Sequence, residues 1–479
     1  MNKIDKILTI ILILSFHFAG AQTVEKVLTE WQNDTVFRHA SWSFKAVNLS
    51  KDKLVAEHNA QKSLIPASVM KAVTVGTGFL VKSSAYMFET QLQYTGTITS
   101  DSVLYGDVII YGKGDPTLGS PRFKAQNPDA VFAEWAQALR RVGIAAINGK
   151  IVAVPSYLNN ESFPDGWTWG DIGNYYGTGV YGLNFMDNEY KIFFQSGKKV
   201  GDSTAIVRTE PTMSDVQFVN RVTTAAANTG DKTIIYPSIK NSNIHIRGTI
   251  PLQTNEFSVR GAMPNPPKIL VDNFHDYLIQ AGFTITEAAT YQTLRPENAT
   301  TFHTHKPVSY RQLANETMMR SVNLYAEAIL LSLRSQENVS FGDNTRFVEN
   351  YLKNKGLSTY GFRMTDGSGL SRSNFVSSDF LCDFLKMMHK TNSFTDFYAT
   401  FPVAGTSGTI AGMCKGTAAQ SNLRAKSGTM NAVRAYCGYV KNSAGDMICF
   451  SLIINNFNCR QSELTPKIEK LFTALAEGK

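Results

Sequence analysis

Apolar positions change their spacing several times along the chain, and each change predicts a different element. Residues 7–14 form a short apolar run broken only by Thr9, with Lys3 and Lys6 before it and Ala19-Gly20-Ala21 after it. Apolar side chains alternate over 41–49 around Trp42 and Phe44, which predicts a strand, a turn at 50–53 and a returning strand at 54–58. After Pro66 the apolar spacing becomes helical, so Ser68 is expected at a helix N-terminus. Strand-like runs at 88–94 and 103–111 lead into Gly112-Lys113-Gly114-Asp115-Pro116. An amphipathic helix over 129–142 and a strand over 147–155 follow. Residues 161–188 are aromatic and glycine-rich, with no regular period. Short alternating runs at 204–208, 233–236 and 244–250 predict a small β-rich module. Pro264-Asn265-Pro266-Pro267 marks a boundary before a helix at 269–281. Helices are expected over 308–333, with a break near Arg320-Ser321, and over 345–354. Strands at 434–440 and 447–454 and a helix at 464–476 close the chain.

Composition narrows the class. A chain of 479 residues with 43% hydrophobic and 18% charged residues is globular and long enough for two to four domains. Disordered and coiled-coil chains are thereby excluded. The net charge of +8 is not gathered into a basic run, so no nucleic-acid partner is indicated. Residues 1–21 read as a cleaved secretory signal. Their apolar run is too short to span a bilayer, and no cysteine follows the cleavage site, so no stable membrane anchor is expected. The five cysteines (Cys382, Cys414, Cys437, Cys449, Cys459) are too few for a disulfide framework. Cys437 and Cys449 sit on two runs that can pair as a hairpin, and no bridge is assigned to them.

Three short motifs bear chemistry. In Ser68-Val69-Met70-Lys71, positions i and i+3 share a helix face, and a lysine made neutral can take the proton of a serine hydroxyl. Ser50-x-x-Lys53 and Ser196-x-x-Lys199 match the same spacing, but in polar, turn-like settings. Ser321-Val322-Asn323 offers a hydroxyl beside an amide. Lys426-Ser427-Gly428-Thr429 lies in an expected strand, where glycine admits a second backbone and a cation with hydroxyls suits a carboxylate. Taken singly, each also reads as plain structure: a helix cap, a helix break, an edge strand. His303-Thr304-His305 shares one strand face but has no evident acidic or histidine partner, so it is read as surface and no metal is expected. Asp115 is read as ordering the turn before Pro116. Trp167, Trp169 and Tyr175 fit a ligand-binding wall and core packing equally well.

Together and in this order, the three motifs resemble those of the serine penicillin-recognising enzymes, whose signatures are Ser-x-x-Lys, Ser-x-Asn and Lys-Thr/Ser-Gly. Between Lys71 and Ser321 lie 249 residues. That gap resembles the D-alanyl-D-alanine carboxypeptidase/endopeptidase group of low-molecular-mass, class C penicillin-binding proteins. Gly106-Asp107-Val108, the run Gly112 to Leu118, Gly166-Trp167-Thr168-Trp169-Gly170-Asp171, Asp366 to Arg372 and Ala404 to Thr409 carry the likeness further. Ser427 stands where threonine is commoner.

The resemblance implies an α/β (α+β) fold: a discontinuous β-lactamase/transpeptidase-like domain, an antiparallel sheet with helices on its faces, and two smaller inserted domains. The expected boundaries are a signal at 1–21, a catalytic domain at 22–88 and 303–479, one inserted domain at 89–190 and 262–302, and a β-rich one at 191–261. It implies that Ser68 is the nucleophile and Lys71 the base, kept partly neutral by Lys426. Ser321 would relay a proton, and Asn323 would hold Lys71 and the substrate amide. Lys426, Ser427 and Thr429 would hold the substrate carboxylate beside Gly428. The oxyanion would lie on the backbone N–H groups of Ser68 and Thr429. The expected partners are peptidoglycan stem peptides and, as covalent inhibitors, β-lactam antibiotics. No cofactor is expected, and the location is periplasmic. The alternatives are a β-lactamase or D-amino-acid esterase of the same fold, or a non-catalytic peptidoglycan-binding protein. The sequence carries no signal for an oligomeric state.

Overall fold

The computed structural model describes residues 23–155, 161–213, 216–238, 243–306, 308–334 and 339–478. The expected signal segment 1–21 lies outside the described residues. The chain divides into two units: residues up to Pro66 with 376–390 and 401 onward form one, and 67–375 with 391–400 form the other.

The first unit is built on a five-stranded antiparallel sheet. Its order is Lys53–His58, Ser41–Asn48, Met447–Asn455, Val433–Lys441, Arg424–Met430. The two ends of the chain therefore meet at the sheet centre, with Phe44 opposite Leu452 and Ala46 opposite Phe450. The strand Val433–Lys441 is buried at all but its last position, so a helical layer covers each face. On one face Val27, Trp31, Phe44, Phe450, Leu452, Leu471 and Phe472 share a core with helices Val24–Asn33 and Gln461–Glu477. On the other face lies helix Ser378–His389, where Ser378 Oγ meets Ser43 Oγ at 2.7 Å and Ser451 Oγ at 3.3 Å. Buried serines can sit on a central strand because each hydroxyl finds a partner. The sequence reading left this helix unassigned, although Phe380, Leu381, Phe384, Leu385 and Met388 form one buried stripe. All five cysteines are free thiols. Cys449 pairs with Tyr439, which makes Cys437 its diagonal neighbour.

In the second unit helix Met70–Val81 packs on Tyr310–Arg320 and Asn323–Ser332. The expected break in 308–333 falls at Ser321, which ends the first of these helices in the left-handed region (φ 60, ψ 37). The helix expected at 345–354 begins earlier, at Phe341, because Ser340 and Asp343 form a reciprocal cap.

The expected strands 103–111 and 147–155 are each two strands in different sheets. Val103–Tyr105 and Ala146–Asn148 belong to a four-stranded sheet. Val108–Gly112 and Ile151–Val154 belong to a five-stranded one. The crossing points are glycines in close contact. A Cβ on Gly149 would lie 2.2 Å from Gly106 O, and one on Gly106 would lie 2.0 Å from Thr95 O. The sequence conceals such a break, since Val108–Gly112 and Ile151–Val154 are buried at every position and no change of period marks the crossing. The alternating stretch after 188 forms two three-stranded sheets, centred on Glu189–Gln195 and Asn243–Pro251. Among the described residues no helix is long and apolar enough to cross a membrane.

At the end of its strand Asn455 ties down the segment before Pro66. Its Oδ1 accepts from Ile65 N (2.8 Å) and its Nδ2 donates to Ile65 O (3.0 Å). Replacing Asn455 with Ala orphans both backbone groups and is expected to lower stability by about 2–4 kcal/mol. A urea midpoint within error of the parent would contradict this.

Candidate active site

The chain enters the site through Ala67, a buried residue held at φ +47. Ala67–Val69 forms a tight 3₁₀ turn that runs directly into helix Met70–Val81. Ser68 thus sits in that turn, just ahead of the α-helix. The helix is buried from Met70 to Phe79, so the sequence gives it no polar stripe. Lys71 is completely enclosed.

An enclosed ammonium needs three acceptors, and Lys71 Nζ has three: Asn323 Oδ1 at 2.5 Å, Ser368 O at 2.8 Å and Ser68 Oγ at 3.1 Å. The amide of Asn323 is engaged at both ends, since its Nδ2 donates to Tyr176 O at 2.6 Å. The amide nitrogen carries a second N–H, which serves a substrate carbonyl without displacing Tyr176. Burial pushes the Lys71 pKa down to about 7, while the carboxyls of Glu327 and Asp366 pull it up. Burial is thus the cause that lowers it.

Two acids to which sequence reasoning gave no role hold the loop that carries Ser368 O. Glu327 stands four residues after Asn323, one turn along the same helix face. It is fully buried; Oε2 accepts from Gly367 N (2.7 Å) and Oε1 from Ser368 N (2.9 Å). Burial raises its pKa, and the nearby Asp366 carboxyl raises it further. Asp366 Oδ1 accepts from Gly369 N (2.7 Å) and Asn374 Nδ2 (2.8 Å). Its Oδ2 accepts from Ser371 N (2.6 Å) and Trp167 Nε1 (2.8 Å). These bonds close a loop that aims Ser368 O at Lys71. The one signal available was a single acid in an otherwise apolar helix.

The third motif lies on the other unit, in the edge strand Arg424–Met430. Lys426 is fully buried, and its Nζ donates to Ser427 O at 2.7 Å. Ser427 Oγ donates to Thr409 Oγ1 at 2.7 Å. Gly428 faces Ala435 in register. Thr429 Oγ1 accepts from Arg434, a second cation that the sequence reading did not single out. Ser68, Lys71 and Asn323 are thus brought together in one unit, with Ser321 at the helix junction two residues before Asn323. Lys426, Ser427, Gly428 and Thr429 are grouped on the other.

Other candidates separate cleanly. Asp115 orders its turn, with Oδ1 accepting from Thr117 N (2.8 Å) and Thr117 Oγ1 (2.7 Å). Trp167 is tied to Asp366, whereas Trp169 and Tyr175 are exposed. His303 and His305 do have an acidic partner, Glu134, contrary to the sequence reading; it comes from a helix far away in sequence.

Gly369 has φ +82, and a Cβ there would lie 1.9 Å from Ala67 O. Gly369→Ala is therefore expected to lower stability by at least about 2 kcal/mol and to displace Ser368 O from Lys71. Unchanged denaturation and unchanged acylation would count against this account of the loop.

Comparison with known proteins identifies the family. Residues 24–476 match the D-Ala-D-Ala carboxypeptidase 3 (S13) family. The chain is 24% identical over 430 residues to the D-alanyl-D-alanine carboxypeptidase DacB of Haemophilus influenzae, covering 88% of this chain and 87% of that protein. It is 26% identical over 411 residues to a D-alanyl-D-alanine carboxypeptidase of an Actinomadura species, covering 82% and 74%. The crystal structure of penicillin binding protein 4 (dacB) from Haemophilus influenzae superposes with a TM-score of 0.79 at 22% identity, covering 94% of this chain and 98% of that one.

Proposed function

The chain belongs to the D-Ala-D-Ala carboxypeptidase 3 (S13) family, and from that premise we propose how its own residues carry the reaction. It is a serine-type D-Ala-D-Ala carboxypeptidase/endopeptidase acting on peptidoglycan. The observation that supports the assignment of roles is the setting of Lys71. Asn323 Oδ1 and Ser368 O take two of its N–H bonds, so the remaining position of the nitrogen faces Ser68 Oγ. When Nζ is an amine, that position is a lone pair, and the Ser68 hydroxyl donates to it.

Acylation then proceeds without a cofactor. Ser68 Oγ attacks the carbonyl carbon between the two D-alanines as its proton passes to Lys71 Nζ. The tetrahedral oxyanion is held by the backbone N–H groups of Ser68 and Thr429, each such donor typically contributing about 100–1000-fold in rate. The proton returns through Ser321 to the departing nitrogen, the C–N bond breaks, and the acyl group stays on Ser68 as an ester. Water attacks the ester and restores the hydroxyl. Lys426, Ser427 and Thr429 hold the terminal carboxylate, and Gly428 lets the peptide backbone lie close. A β-lactam is a cyclic acyl donor to the same serine. We assign the mature protein to the periplasm from its leader-like residues 1–21.

The direct test is release of D-alanine from diacetyl-lysyl-D-Ala-D-Ala, with covalent labelling by a fluorescent penicillin. Ser68→Ala is expected to lose both; persistent labelling would place the nucleophile elsewhere. The pH profile gives a second test. The amine of Lys71 is the reactive form, and its lowered pKa populates it from about pH 7 upward rather than near its ordinary value. The acylation rate constant is expected to fall about tenfold per unit below pH 7 and to level off above it. A profile flat down to pH 5 would contradict Lys71 as the base.

A further inference from the structure

One cluster lies outside the machinery just described. Helix Pro128–Arg141 presents Glu134 to His303 and His305 on strand Thr300–His305. That strand is the edge of the five-stranded sheet. Its register slips between Thr301 and His303, a bulge of the kind that re-aims side chains. His303 Nε2 lies 2.8 Å and His305 Nδ1 3.1 Å from the same oxygen, Glu134 Oε1.

The orientation of His305 is fixed from behind. Its Nε2 lies 3.2 Å from Oε1 of Gln126, a residue with no exposed surface. The amide of Gln126 is itself set, because its Nε2 donates to Ala125 O at 3.3 Å. Gln126 Oε1 therefore accepts from His305 Nε2, and a neutral His305 turns its Nδ1 lone pair towards Glu134. Such a nitrogen joins a carboxylate oxygen in one of two ways, through a second proton on the ring or through a bound cation. Metal-bound histidines commonly donate their second N–H to a carbonyl in this way. The ring of Trp135 meets the His305 imidazole edge to face, with centroids 6.1 Å apart, and further limits its rotation.

We propose that Glu134, His303 and His305 form a binding site for one zinc-class divalent cation. Two imidazole nitrogens and a carboxylate oxygen are a zinc donor set, and all three donor atoms lie within 4.8 Å of one another. Tetrahedral zinc with bonds of 2.0–2.2 Å needs donors about 3.3 Å apart, so the observed spacings open by a few tenths of an ångström. His305 is buried, while the Glu134 side chain is 42% exposed, which leaves the fourth position to water. Nitrogen ligands disfavour calcium and magnesium, which prefer oxygen. The bound ion cross-links a helix to an edge strand, so its effect is on stability rather than on acyl transfer.

The test uses the full mature chain without a histidine tag, stripped with chelator and titrated with zinc chloride. Calorimetry and elemental analysis are expected to give one zinc per chain at micromolar affinity or tighter, with a rise of several degrees in melting temperature. Calcium and magnesium are expected to give no rise. Glu134→Gln and His303→Gln, both at the open side of the cluster, are expected to weaken zinc binding at least tenfold while penicillin labelling stays at the parent level. No zinc uptake by the stripped parent chain would overturn the proposal and leave a metal-free hydrogen-bonded cluster. Equal uptake by the parent and by both variants would overturn it by placing the zinc elsewhere.

Discussion

The enclosure of one lysine is the constraint on which the unit carrying Ser68 is organised. A fully buried ammonium without partners is not tolerated, and a fully buried amine without partners is a wasted base. Lys71 escapes both outcomes because its nitrogen meets a hydroxyl, an amide oxygen and a backbone carbonyl. The three come from the entry turn, from a second helix and from a loop some three hundred positions later. Each must be correct for the others to matter. The break at Ser321 starts the next helix at Asn323, the helix carries Asn323 to Lys71, and Glu327 on the same face fixes the loop that supplies Ser368 O.

The sheet of the other unit solves a different problem. Its central strands are buried on both faces, so the Lys-Ser-Gly motif is carried on an edge strand, where backbone groups remain available for a peptide. Lys426 is buried yet bonded to the carbonyl of its own neighbour, Ser427. Thr429 is gripped by Arg434 from the adjacent strand. The motif is therefore held in place by its own sheet. Joining the first strands of the chain to the last ones is what allows a long intervening segment to be accommodated without disturbing that sheet.

What was legible in the sequence was local. Ser68 with Lys71, and Ser321 with Asn323, are short-range patterns fixed by turn and helix geometry, and Lys426 to Thr429 is a run within one strand. Features made by distant partners were not legible. Ser368 contributes a carbonyl, which every residue has, and only loop closure by Glu327 and Asp366 gives it a direction. Glu134 meets His303 and His305 through packing of a helix on a sheet edge, with no sequence spacing to announce it. The doubled strands at 103–111 and 147–155 were concealed because their second halves are buried at every position, so no change of period marks the crossing. The helix starting at Phe341 did carry its signal, the Ser340–Asp343 cap, ahead of the apolar stripe on which the reading relied. The fold class was thus recoverable from motif order, whereas the electrostatics around Lys71 required three-dimensional contacts.

Glu327 shows how these demands compete. A carboxyl beside Lys71 raises the pKa that burial lowers, so on electrostatics alone an apolar residue would keep Lys71 more nearly neutral. An apolar residue would leave the N–H groups of Gly367 and Ser368 unpaired in a dry interior, at about 1–3 kcal/mol each. The loop would then relax, and Ser368 O would no longer be aimed at Nζ. Burial and the neighbouring Asp366 carboxyl ease the conflict by raising the Glu327 pKa, against the loop N–H bonds and Lys71, which lower it. A proton drawn onto one oxygen of Glu327 withdraws negative charge that holds Lys71 as an ammonium, at the expense of one of the two loop acceptors. The acid is thus compatible with a reactive amine because the interior that lowers the pKa of Lys71 raises that of Glu327.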